Sequence, residues 1–187
     1  MRRTKTVVSD TYKNPEILQF TEHLHECFET GQVLHNERNV IKSCQLKDAN
    51  GTINEIIVKR YKRPGWLQRI VYGFFRSSKA KRAFRNAHEL RERGIDTPHE
   101  IAFTEQKCGG LLEYCYYVSE SNRNRPIRDE LIRPENFNRS MAAAFAAFAA
   151  ELHEKGILHH DLNSTNVLYH LNDTHYNFSV IDINRMR

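Results

Sequence analysis

Gly156-Ile157-Leu158-His159-His160-Asp161-Leu162-Asn163-Ser164-Thr165-Asn166-Val167-Leu168 decides how the rest of the chain reads. Upstream, Phe137, Met141, Phe145, Phe148 and Leu152 recur at helical spacing, which predicts a long helix from Pro134-Glu135-Asn136-Phe137 to near Gly156. Downstream, Val167-Leu168-Tyr169 and Phe178-Ser179-Val180-Ile181 read as short strands around a turn at Asn172-Asp173, and the second strand runs into Asp182. The order is therefore helix, polar loop, strand, strand, carboxylate. A polar, Asn-capped turn after a helix is the bland alternative.

The loop carries the spacing H-x-D-x-x-x-x-N, that of a kinase catalytic loop, in His159, Asp161 and Asn166. Phosphoryl transfer needs little covalent help and much positioning of charge. In that chemistry Asp161 accepts or orients the proton of the substrate hydroxyl, and Asn166 and Asp182 are the oxygen ligands that hold Mg²⁺ against the phosphates of ATP. His159 braces the loop. Further upstream, Ile56-Ile57-Val58-Lys59 ends a β-branched run in an ammonium, the pattern that places a lysine on the α- and β-phosphates; a lysine closing a strand end is also common for no such reason.

Outward from Lys59, Val40–Leu46 and Ile53–Tyr61 read as two strands joined by a hairpin at Asp48-Ala49-Asn50-Gly51, with a further strand near Gln32–His35. No G-x-G-x-x-G occurs. The segment His35-Asn36-Glu37-Arg38-Asn39 is the candidate for covering the phosphates, which makes Asn36 and Arg38 candidate nucleotide contacts and requires Glu37 to turn away. Trp66, Leu67, Ile70, Val71, Phe74 and Phe75 recur at helical spacing, and a second helix is expected over Lys79–Arg93, capped by Gly94 and stopped by Pro98. Ile101–Phe103 and Gly110–Val118 follow as strands around Lys107-Cys108-Gly109-Gly110.

The chain has 187 residues, enough for one core or two small lobes. Between Lys59 and Arg93 stand twelve Lys/Arg against Glu89 and Glu92, so this stretch carries +10 of a net charge of +5. Such a segment suits a phosphate-rich partner, whether anionic lipid head groups at a membrane surface, a phosphorylated glycolipid or nucleic acid, or is simply a solvated helical face. The stripe from Trp66 to Phe75 is read either as an interfacial element or as a face packed on the sheet. No secretion signal and no apolar run of bilayer length is expected; Met141–Ala150 reads as a buried helix. Four cysteines without zinc or disulfide spacing fit reduced thiols, and His153, His159 and His160 have no metal-ligand pattern.

Several stretches resemble the lipopolysaccharide kinase (Kdo/heptose kinase) family, particularly its Bacteroidetes branch. They are Asn39-Val40-Ile41-Lys42, Val58-Lys59-Arg60-Tyr61-Lys62, Gly94-Ile95-Asp96-Thr97-Pro98, Gly110-Leu111-Leu112, Leu152–His159 and Val180–Met186. The resemblance covers about residues 30 to 187. It implies an α+β, two-lobed protein-kinase-like fold with an antiparallel-sheet N-lobe and a short, apparently truncated helical C-lobe. The expected boundaries are an N-terminal extension at 1–30, an N-lobe at 31–118 and a partial C-lobe at 119–187. It also implies transfer of the ATP γ-phosphate to a sugar hydroxyl of lipopolysaccharide core or lipid A, Kdo or heptose, with Mg²⁺, at the cytoplasmic face of the inner membrane. The family's helix acid falls near position 85, which is Arg here, so Glu89 one turn later is the expected partner of Lys59. Asn163 stands where protein kinases usually have a lysine, which points to a glycan acceptor and away from a protein one. Two other readings stay open: a kinase-like nucleotide-binding module without turnover, and a RIO-like atypical protein kinase, whose basic segment would face RNA; no nucleic-acid partner is expected in the main reading.

Overall fold

The computed structural model describes residues 2–47, 52–72, 76–132, 135, 137–173 and 175–187. The expected hairpin turn at 48–51, Phe74 and Phe75, and the helix-start residues Pro134 and Asn136 lie outside them. The chain divides into two compact units: Met1–Arg85 with His99–Ser121, and Asn86–Pro98 with Asn122–Arg187. In chain order the elements are β1 (Arg2–Val8), α1 (Pro15–Glu22), α2 (Leu24–Thr30), β2 (Gln32–Asn36), β3 (Val40–Lys47), β4 (Ile53–Arg60), α3 (Trp66–Ile70) and α4 (Lys79–Glu92). There follow β5 (Glu100–Cys108), β6 (Leu111–Glu120), β7 (Arg125–Pro126), α5 (Arg128–Leu131), α6 (Arg139–Glu154), β8 (Val167–Asn172) and β9 (His175–Val180).

The first unit is an antiparallel sheet in the order β1-β5-β6-β4-β3-β2. The β3–β4 pairing puts Ile41 opposite Lys59 and Cys44 opposite Ile56, and β4 turns Ile56 and Val58 into the core. Between β5 and β6 the chain reverses through Gly109 and Gly110, both at positive φ, a backbone that only glycine adopts without strain.

Residues 1–30, expected as an extension, are built into this unit. β1 pairs with β5 from Arg2 opposite Cys108 to Val8 opposite Ala102. Asn14 caps α1 by accepting a 2.8 Å hydrogen bond from Ile17 N–H, with Pro15 at the first helical position. Ile17 and Phe20 of α1 and Leu24 and Phe28 of α2 then bury against Cys44, Ile56, Val58, Tyr116 and Val118. Phe28 is fully buried, its ring edge-on to Tyr116 at 5.5 Å, with the Arg60 guanidinium 4.6 Å and the Lys42 ammonium 5.0 Å from its centroid.

The four cysteines are free. Burial pushes the thiols of Cys44 and Cys115 up to about 11. Since the thiolate is the nucleophile, alkylation at mildly alkaline pH is expected to modify the part-exposed Cys108 in the folded chain. Cys44 and Cys115 should react only after denaturation, which peptide mapping reads directly.

α3 does not pack its apolar stripe on the sheet. Trp66, Leu67, Ile70 and Val71 are exposed, and the described contact with β6 is polar: Arg69 Nε donates to Leu112 O at 3.0 Å.

The second unit holds the small sheet β7-β8-β9 and the helix α6. α6 begins at Arg139, later than expected, because the Asn138 side chain accepts from Met141 N–H at 3.0 Å and so sets the first turn. It is buried on one face only: Met141, Phe148 and Leu152 point inward, with Phe148 and Phe145 on the Phe178 ring of β9 at 5.2 and 6.2 Å, while Ala143, Ala146, Ala147 and Ala150 are exposed. Among the described residues no helix is long and apolar enough to cross a membrane. The end of α4 is closed by Gly94 at φ +70, with Ile95 N–H donating to Leu90 O at 2.9 Å.

Candidate active site

The loop after α6 is held by its own asparagines and by the segment after β9. Asn163 Oδ1 accepts from Thr165 N–H at 2.9 Å, Thr165 Oγ1 at 2.6 Å and Asn166 N–H at 3.2 Å, which closes an Asx turn. Asn166 Nδ2 donates to Asp161 O at 2.9 Å, and Asn166 O accepts from Ile181 N–H at 2.9 Å. The last bond continues the β8–β9 ladder, whose final pair is Val167 with Val180, by one more step. It brings Asp161, Asn166 and the residue before Asp182 into one hydrogen-bonded structure.

His159 ties the same two segments from below. Its Nδ1 accepts from Asp161 N–H at 3.2 Å, and its Nε2 lies 3.1 Å from Ile181 O. Both bonds are satisfied by one neutral tautomer, the proton on Nε2. The ring is 6 % exposed, so it cannot exchange these partners for water. A short antiparallel bridge extends the clamp: Leu158 N–H donates to Arg187 O at 2.8 Å and His160 N–H to Arg185 O at 2.9 Å.

Asp182 sits at φ +56, a left-handed conformation uncommon outside glycine, though Asp adopts it more readily than most residues. Its surroundings dictate that conformation. Asn184 Nδ2 donates to Asp182 Oδ1 at 2.6 Å, and on the following residue Asn86 Nδ2, from α4, donates to Ile183 O at 2.7 Å. On the strand side, Thr97 Oγ1 donates to Val180 O at 2.8 Å and Val180 N–H to Asp96 O at 3.0 Å. Asn86 and Ile183 are both buried. Asn86→Ala is therefore expected to strand the Ile183 carbonyl and cost about 1–3 kcal/mol, read by urea unfolding, with a larger loss of activity than the remaining folded fraction explains.

The donor set suits magnesium bound together with phosphates. The Asn166 amide spends its nitrogen on Asp161 O, which leaves Oδ1 as the atom able to face a cation, and Asp182 adds a carboxylate. Among the described residues no cluster of three or more His, Cys, Asp or Glu exists that would cage a metal by itself. Mg²⁺ asks for less, one or two protein oxygens with phosphates and water completing its shell.

The remaining expected residues stand as follows. Lys59 is on β4, part-buried, its ammonium 5.4 Å from the Tyr61 ring centroid. Asn36 ends β2 and is exposed, and the Glu37 carboxylate lies 3.8 Å from His35. Arg38 lines a cavity with Lys62, Arg63 and Lys79. Glu89 is bound to Arg93, the residue just past the end of its helix, at 2.5 Å, and Arg85 is exposed. The sequence reading missed Asn86, Thr97 and Asn184 as braces, and took Asn163 only as the replacement of a lysine. The Asx signature of Asn163, a short polar side chain two and three residues before the N–H groups it accepts, is the one of these with a local signal.

An antiparallel sheet with the lysine-bearing strand β4, followed by a helix, and a second unit whose loop carries H-x-D-x-x-x-x-N before a strand and an aspartate, define a protein-kinase-like fold. Residues 34–187 match the model of the Lipopolysaccharide kinase (Kdo/WaaP) family, and the chain belongs to that family. Two curated relatives, each a 3-deoxy-D-manno-octulosonic acid kinase of Vibrio vulnificus, from strains YJ016 and CMCP6, are 28% and 26% identical over 122 residues. Those matches take in 63% of this chain and 51% of each relative, so the chain spans about half the length of the curated relatives it matches. Among solved structures, WaaP in complex with acyl carrier protein superposes with a TM-score of 0.60 at 18% identity, covering 98% of this chain and 72% of that one, a likeness of fold.

Proposed function

We propose that this chain is an ATP-dependent phosphotransferase whose acceptor is a sugar hydroxyl, Kdo or heptose, of lipopolysaccharide core or lipid A, and that it works at the cytoplasmic face of the inner membrane. The observation that carries this reading is the clamp formed by Asp161, Asn166, His159 and Ile181, in a chain of a lipopolysaccharide kinase family. Asp161 is the residue assigned to the acceptor: its backbone is fixed at both N–H and C=O, so its carboxylate is held ready to orient a hydroxyl and take its proton. Asn166 and Asp182 are assigned to Mg²⁺, which when bound offsets the charge of the transferring phosphoryl group. Lys59 is assigned to the α- and β-phosphates, and Asn36 with the backbone after β2 to covering them. The test is transfer of labelled γ-phosphate from ATP to Kdo-lipid A in the presence of Mg²⁺. Labelled glycolipid supports the reading; labelling of a protein substrate in its place contradicts it.

The Glu89–Arg93 ion pair favours a second reading, a kinase-like module that binds nucleotide without turnover. In active relatives of this fold a helix acid is expected on the strand lysine, and here that acid has a competing partner at the end of its own helix. ATP binding without transfer to any core glycolipid would select it.

A further inference from the structure

We propose that the exposed face of α3 docks this chain on an anionic lipid bilayer, with a lipid phosphate seated in the cationic cavity beside it. α3 turns Trp66, 71% exposed, and Leu67, 60% exposed, to solvent together with Ile70 and Val71. The described contacts that hold it to the sheet are polar: Arg69 Nε on Leu112 O, and the Arg69 guanidinium 3.7 Å from Glu113. The helix is thus pinned from one side by an arginine and presents bulky apolar groups on the other.

Next to that face lies a cavity of ≈ 360 Å³ lined by Arg38, Lys62, Arg63, Lys79, Gln68 and Tyr72, among others, with no carboxylate in its described lining. Glu105 acts on Cys115 at the inner end of the lining, and Glu113, beside α3, is already shared among three guanidiniums: Arg63 at 3.0 Å, Arg2 at 3.7 Å and Arg69 at 3.7 Å. One negative charge against three positive ones leaves the face basic, in a stretch that carries +10 in total.

The pairing of apolar depth with adjacent cations selects the occupant. A free phosphate fills the cavity and leaves α3 in water. A second copy, docked on this face by two-fold symmetry, would set cationic cavity against cationic cavity. A bilayer offers acyl chains for Trp66 and Leu67 and phosphates at head-group depth for the lysines and arginines, the combination that interfacial helices use. The inference concerns lipid binding, and its test needs no phosphoryl transfer, so either can fail without the other.

Trp66 is the single tryptophan of the sequence, so its emission reports this face alone. With vesicles of phosphatidylglycerol and phosphatidylcholine in equal parts, the full chain is expected to cosediment and its emission to shift to the blue. Pure phosphatidylcholine should give neither, and added salt should weaken the binding. Lys62→Glu with Arg63→Glu is expected to weaken sedimentation by about fivefold or more per charge. Trp66→Ser with Leu67→Ser should weaken it more than about tenfold. All four side chains are at the surface, so the Trp66→Ser, Leu67→Ser pair should melt like wild type, and the melting curve of the charge pair shows how much of its effect comes from the lost Arg63–Glu113 contact. The proposal is overturned by sedimentation with no change in Trp66 emission, by equal binding to phosphatidylcholine, by no binding at all, or by wild-type binding of the Trp66→Ser, Leu67→Ser protein. It is also overturned if inorganic phosphate or polyglutamate alone reproduces the emission shift, which would assign the face to a soluble anion or an acidic polypeptide.

Discussion

Asp161→Asn is expected to lower phosphoryl transfer by about 10²–10⁴-fold, the range lost when a positioned proton acceptor is removed, while the second unit stays folded. The loop does not depend on the Asp161 carboxylate for its shape. Its backbone N–H is held by His159 and its carbonyl by Asn166, and among the described residues the carboxylate itself receives one long bond, from Asn163 Nδ2 at 3.4 Å. An asparagine keeps the side-chain volume and loses the charge and the basicity. Initial rates with labelled ATP and Kdo-lipid A, taken with the thermal melting curve, separate the two effects. A near wild-type rate would remove Asp161 from the reaction; a collapsed melting curve would mean that the carboxylate is structural.

Phe28→Ala is expected to destabilise the first unit by about 3–5 kcal/mol. The ring is fully buried, touches Tyr116 edge to face, and carries the Arg60 and Lys42 cations against it. Removing it opens a cavity in the centre of the cluster that α1 and α2 make with the sheet. The size of the effect separates two views of the first thirty residues: an appended extension would lose its own structure and leave the sheet's transition unchanged. Urea unfolding followed by far-ultraviolet circular dichroism reads the difference, and a shift below about 1 kcal/mol would contradict the packing described here.

The loop from His159 to Asn166 and the strand ends at Lys59 and Asp182 were legible because their signals are local: fixed spacing, a β-branched run, a turn. Two strands of the sheet, β3 and β4, read cleanly for the same reason, each carrying β-branched and apolar residues on either side of a turn signal. β1 did not, because Arg2-Arg3-Thr4-Lys5 lies exposed at the sheet edge and only its pairing with β5 makes it a strand. α1 carried a readable start in Asn14-Pro15 and apolar spacing through Ile17 and Phe20, so the extension reading overlooked a signal that was there. For α3 the period shows a helix but not which side will be covered; one polar pin from Arg69 decided that. Asn86, Thr97 and Asn184 act on carbonyls or carboxylates fixed by tertiary structure; the stretches around Thr97 and Asn184 carried a family resemblance without showing which group each would meet, and Asn86 had no such signal. The pairing of Glu89 was set by Arg93 one turn on, an i,i+4 contact that spacing allowed but did not force.

The central proposal is that Asn166 and Asp182 present a metal-bound nucleotide to Asp161. Calorimetric titration of the full chain with ATP, with and without Mg²⁺, tests it most directly when repeated on Asp182→Asn. Tighter ATP binding with Mg²⁺ in the wild type, and no such gain in the variant, is the predicted result. ATP affinity that ignores Mg²⁺, or a gain that survives the substitution intact, would contradict it.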